Sequence, residues 1–151
     1  MFEDLRDLYQ DVILDHGRQP RHGARLAAYD VTAEGDNPMC GDRVRVFARH
    51  DADGRIGAAG FEARGCAISI ASADLMAETV TGHTDDEVRA LAGRFRDMAM
   101  TGAVPEDDVA MARLAPLAGV HEYPSRVKCA TLAWHALLAA LDGKGESGRD
   151  R

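Results

Sequence analysis

Between residues 2 and 16 the apolar positions Leu5, Leu8, Tyr9, Val12 and Ile13 recur at steps of three and four, the stripe of an amphipathic helix. Gly17 and Pro20 end it, and residues 18–25 read as a polar, irregular connection. The period then shortens to two. Residues 28–34 are weakly patterned, a possible edge strand, while residues 43–49 alternate strictly: Val44, Val46 and Ala48 on one face, Arg43, Arg45 and Arg49 on the other. Asp51-Ala52-Asp53-Gly54 supplies hairpin-turn chemistry, and residues 55–63, with Ile56 and Phe61, return as the partner strand.

Helical spacing resumes after Gly65. Residues 66–80 carry Ile68, Leu75 and Met76 on a chain of small side chains. Thr84 followed by Glu87 forms a capping box that opens a helix to about residue 100, with Val88, Leu91, Phe95 and Met98 inward. Residues 106–120 predict a short helix burying Leu114 and Leu117, and residues 124–141 a last helix with Leu132, Leu137, Leu138 and Leu141 as its stripe. Trp134 reads as a partly buried anchor. Residues 143–151 are glycine, serine and charge, a frayed tail behind a single domain over residues 1–142 with no internal repeat.

Composition narrows the function classes. At 151 residues and 46% hydrophobic content, the chain can bury a core without staples. Its 18 Lys and Arg face 25 Asp and Glu, a formal net charge of −7, and its arginines are scattered among carboxylates. That excludes a nucleic-acid footprint, which needs clustered, uncompensated bases. No apolar run approaches the roughly 20 residues of a membrane span, and the first six residues carry acids where a signal peptide carries bases. The expectation is a soluble, cytoplasmic protein. Three cysteines are an odd number, so reduced thiols serving a metal or a reaction are expected rather than a disulfide framework.

Candidate chemistry gathers at Asp36-Asn37-Pro38-Met39-Cys40-Gly41-Asp42. Cys40 and Asp42 on this turn, with Cys66 and Cys129 near two helix starts, make the three thiols and one carboxylate of a tetrahedral zinc site. The bland alternatives are a turn aspartate at 42 and a buried structural cysteine at 66. A helix N-terminus and Arg64 favour the thiolate at Cys66; Arg126 and Lys128 favour it at Cys129. Cys40, flanked by Pro38 and Gly41, is the thiol freest to move and react. His16 is explained by the helix dipole, His83 and His121 by solvated loops, and the Asp51/Asp53/Gly54 triplet by a hairpin turn rather than a calcium loop.

Three segments carry a family resemblance: Asn37-Pro38-Met39-Cys40-Gly41-Asp42-Arg43, Gly65-Cys66-Ala67-Ile68-Ser69 with Ala71-Ser72-Ala73, and Arg126-Val127-Lys128-Cys129-Ala130-Thr131-Leu132. In this order they resemble the signatures of the U-type iron–sulfur assembly proteins, and Leu8-Tyr9, Asp15-His16 and Pro20-Arg21 are similar to that family's first helix. The resemblance implies an α+β fold, a small antiparallel sheet of about three strands against several helices, in accord with the order helix, strands, helices. The IscU branch, a scaffold for a [2Fe–2S] cluster, has histidine before the third cysteine. The SufU branch has a basic residue there and a longer stretch after the second cysteine, as Lys128 and the 62 residues between Cys66 and Cys129 do here.

The SufU branch implies a zinc-dependent sulfurtransferase with Zn²⁺ on Cys40, Asp42, Cys66 and Cys129. It implies that Cys40 accepts persulfide sulfur from a SufS-type cysteine desulfurase and passes it toward a SufBCD scaffold. A [2Fe–2S] scaffold and a binding module with a structural zinc remain as alternatives. Arg126 and Lys128 have two readings, partner contact and charge balance. Arg64 departs from the family, which often has an acid there.

Overall fold

Alternation along residues 42–50 settles which face of the sheet is inside. The computed structural model describes residues 2–38 and 41–143, and in it three strands, β1 (Val31–Asn37), β2 (Asp42–His50) and β3 (Ile56–Arg64), form an antiparallel sheet in the order β1-β2-β3. Val44, Val46 and Ala48 are buried on one face, and Arg43 and Arg49 are exposed on the other. Phe47 breaks the simple alternation. It lies on the arginine side yet is buried, because Tyr29 packs edge-on at 4.9 Å and the Arg25 guanidinium sits 5.3 Å from its ring centroid. The connection after the first helix therefore folds over the outer face of the sheet.

Five helices complete an α+β fold: α1 (Phe2–Arg18), α2 (Ala67–Val80), α3 (Asp85–Thr101), α4 (Val109–Leu114) and α5 (Pro124–Leu141). The inner sheet face packs on α2 and α5, whose small residues permit close approach; a Cβ at Gly35 of β1 would stand 3.2 Å from Leu132 of α5. Thr84 and Glu87 form the capping box at α3, and Gly102 ends that helix in the left-handed region. Leu5 and Leu8 fall outside the residues whose side chains are described, as does the tail beyond residue 143.

Three expectations needed adjustment. The first strand starts at Val31 rather than Ala28, because Asp30 instead accepts a hydrogen bond from the His50 amide, and pairing continues to Asn37 opposite Asp42. Residues 106–120 hold α4 and then a 3₁₀ helix (Ala115–Glu122): Asp108 caps at Met111, and Pro116 cannot continue the first helix's hydrogen bonds. Trp134 is fully buried rather than an edge anchor, stacked on Phe95 with centroids 5.0 Å apart.

Candidate metal centre

Three chain segments that are distant in sequence meet at one end of the sheet. Asp42 is the first residue of β2 and is buried; Cys66 is the N-cap of α2, directly after β3; Cys129 lies in the second turn of α5, also buried. Their ligand atoms all lie within 4.8 Å of one another. Cys40, the fourth expected ligand and the expected reactive thiol, lies outside the described residues.

Gly65 makes this convergence possible. Its φ of +151° is one that side-chain-bearing residues rarely adopt, and a Cβ there would stand 2.2 Å from Asp42 Oδ1. The missing side chain is the space the carboxylate fills. The Asp42 oxygens are then held by the start of α2. Cys66 N–H donates to Oδ1 at 3.1 Å and the Ser69 hydroxyl donates to Oδ2 at 2.5 Å. Ser69 N–H in turn donates to Cys66 Sγ at 3.5 Å, the thiol serving as N-cap acceptor.

Ser69 is the residue at this site that sequence reasoning missed. A signal was present: a cysteine N-cap places the third helical residue, here Ser69, back over the cap, so that hydroxyl and thiol share one site.

The electrostatics overturn one expectation. Arg126 and Lys128 do not hold Cys129 as a ready thiolate. Burial pushes the Cys129 thiol well above its ordinary value, and a hydrogen bond to Asp42 and the charge of Cys66 push it further. Arg126 instead lies 5.0 Å from the Tyr123 ring centroid. Beside Cys66 and Cys129 opens a groove of about 910 Å³, walled by Tyr9, Ile13, Ile68, Val104, Pro116 and Tyr123.

His16 is not merely a helix-end cation. Its Nδ1 lies 2.5 Å from Oδ2 of the fully buried Asp74 of α2, whose Oδ1 accepts the His22 N–H at 2.8 Å. With Glu78 this is a second group whose ligand atoms lie within 4.8 Å. His83 is not solvated as expected: its Nδ1 is buried without a partner, while His121 is exposed with Nδ1 2.9 Å from the Ala118 carbonyl. Neither stands among the metal-capable groups of the described residues.

Two thiols and a carboxylate in a pocket that a glycine vacates fit a zinc ion, which takes sulfur and oxygen donors in tetrahedral array. Among the described residues no helix is long and apolar enough to cross a membrane.

The family described as NifU-like N terminal domain matches residues 8–141. The chain is 37% identical over 145 residues to the zinc-dependent sulfurtransferase SufU of Bacillus subtilis (strain 168), covering 96% of each. It is also 37% identical over 138 residues to the iron-sulfur cluster assembly scaffold protein IscU of Streptococcus pyogenes serotype M1, covering 91% of this chain and 84% of that one. A crystal structure titled as the putative iron-sulfur cluster assembly scaffold protein for the SUF system, FiSufU, from Fervidobacterium islandicum AW-1 matches with a TM-score of 0.79 and 30% identity, over 90% of this chain and 98% of that one.

Proposed function

We infer function from a fixed premise: this chain belongs to the NifU-like N-terminal domain family, the iron–sulfur cluster assembly proteins of SufU and IscU type. On this proposal it is a zinc-dependent sulfurtransferase of the cytoplasm. It takes sulfur from a SufS-type cysteine desulfurase through Cys40 and passes it toward a SufBCD scaffold. The observation that carries the reading is the meeting of buried Asp42 and Cys129 with the exposed Cys66, with Lys128 rather than an imidazole before the last cysteine.

Asp42, Cys66 and Cys129 would hold the metal, with Cys40 as the fourth ligand. Zinc would supply a Lewis acid without redox chemistry, which keeps thiol ligands deprotonated at neutral pH. That fits Cys129, whose thiol otherwise keeps its proton. Transfer itself is thiol–disulfide chemistry. The Cys40 thiolate attacks the outer sulfur of the desulfurase persulfide, a new S–S bond forms on Cys40, and the desulfurase cysteine leaves as thiolate. No net electrons move.

The test is alanine release from cysteine by a SufS-type desulfurase, with and without the zinc-loaded chain. Saturable stimulation that Cys40→Ala abolishes and Lys128→Ala retains is the expected result. No stimulation by fully loaded protein would overturn the transferase reading. The equal identity to the streptococcal IscU supports a second reading, a cluster scaffold. Retention of a reconstituted [2Fe–2S] cluster on the chain would favour it.

A further inference from the structure

The centre is bounded by two buried serines of α2, Ser69 and Ser72, which make hydrogen bonds of the same length to different kinds of partner. Ser72 donates at 2.5 Å to the Ala130 carbonyl of α5, an interhelical tie to backbone. Ser69 donates at 2.5 Å to Asp42 Oδ2, and its Oγ also lies 3.6 Å from Cys66 Sγ and 3.4 Å from the Cys129 carbonyl oxygen. It is the hydroxyl on which all three described ligand residues converge.

We propose that Ser69 is a positioning residue of the metal centre, which fixes Asp42 so that the carboxylate can offer a metal only one oxygen. This rests on the metal reading above. Cys66 N–H donates to Oδ1, and the Ser69 hydroxyl and the Cys66 thiol both donate to Oδ2, the hydroxyl at the shorter distance; Ser69 thus holds Oδ2 against turning to chelate beside Oδ1. A single-oxygen carboxylate beside sulfur ligands keeps the centre at four coordinates. Without the hydroxyl, Oδ2 loses its shortest donor and the carboxylate can swing.

The serine pair supplies its own control. Zinc affinity is measured on the full chain by competition with a chromophoric chelator, and coordination by the visible bands of the cobalt-loaded protein. Ser69→Ala should weaken zinc binding about 10- to 100-fold, the usual effect of losing an outer-shell partner, and dim the bands that mark four-coordinate cobalt. Ser69→Thr, which keeps a hydroxyl, should restore both.

Ser72→Ala should lower the melting temperature while leaving affinity and spectrum as in the wild type. Wild-type zinc affinity and cobalt spectrum in Ser69→Ala would overturn the proposal, as would an equal loss in Ser72→Ala, which would mark the effect as helix packing. If the wild-type chain takes up neither metal, the metal reading falls and this proposal falls with it.

Discussion

Two clusters of metal-capable side chains meet along helix α2, and they differ in what their atoms are already doing. At its first turn stand Asp42, Cys66 and Cys129; two turns further along, His16, Asp74 and Glu78 meet with the same closeness. Each cluster is built on a buried carboxylate. Asp74 has both oxygens committed to the tertiary structure: the His16 ring of α1 on one and the His22 amide of the following connection on the other, so that it ties the first 22 residues to the body. The Asp42 donors come from the metal centre itself, the Cys66 amide and the Ser69 hydroxyl, and its neighbours are soft thiols. Proximity alone therefore does not make a metal site. On the function proposed above, soft donors and a carboxylate whose partners belong to the site single out the first cluster.

A crossed pair of substitutions breaks this comparison most severely. Asp42→Ala should cost zinc more than the roughly 10–100-fold typical of an outer-shell change, because a ligand is lost. Asp74→Ala should leave zinc affinity alone but strand the His16 ring and the buried end of the His22 amide. The expected loss of stability is about 3 kcal/mol, or on the order of 10 °C in melting temperature. Chelator competition and thermal unfolding on both variants decide it. Zinc loss in Asp74→Ala at full stability would show that the second cluster is the metal site.

The second test compares two glycines of positive φ. Gly65 and Gly82 flank α2 with φ of +151° and +92°, but only at Gly65 would a Cβ meet a neighbour, Asp42 Oδ1 at 2.2 Å. Gly82→Ala should cost only the backbone strain, about 1 kcal/mol, and keep zinc. Gly65→Ala should add the displacement of Asp42 and lose zinc affinity as well as about 1–3 kcal/mol of stability. Equal zinc affinity in the two variants would mean that the vacated space at Gly65 does not seat the carboxylate.

These contrasts show what could be read from the chain and what could not. Strict alternation named β2 and its buried Val44, Val46 and Ala48, and the capping box named the start of α3, because both patterns are local. Asp42, Cys66 and Cys129 were legible as candidate ligands by residue type, and the fold brings them together. Asp74 was not legible: a carboxylate inside an apolar helix has meaning only once α1 delivers His16 from 58 residues away. The burial of Phe47 was not legible for the same reason, since the chain that covers it, residues 25–29, comes from the connection after α1. The state of Cys129 was misread because neighbours in sequence, Arg126 and Lys128, count for less than burial.

A second histidine–carboxylate group extends the comparison, with the smallest expected effect. His50, at the end of β2 far from Asp42, has Nδ1 2.7 Å from Asp30 and Nε2 2.7 Å from Asp85 at the start of α3. Burial opposes a charge on this ring, but hydrogen bonds and attraction from the two carboxylates outweigh it, and the imidazolium is held above its ordinary value. A pKa raised by folding adds stability that is whole below the unfolded value of about 6.5 and is lost as pH climbs through the folded value. The clasp should therefore weaken toward mildly alkaline pH. Asp30 is half exposed, so solvent screening holds the increment to about 1 kcal/mol or less. Between about pH 6 and pH 8 the urea midpoint of the wild type should fall further than that of His50→Gln, since every other titration is common to both. Parallel curves would mean that the ring stays uncharged, and a steeper fall in the variant would reverse the sign of the argument.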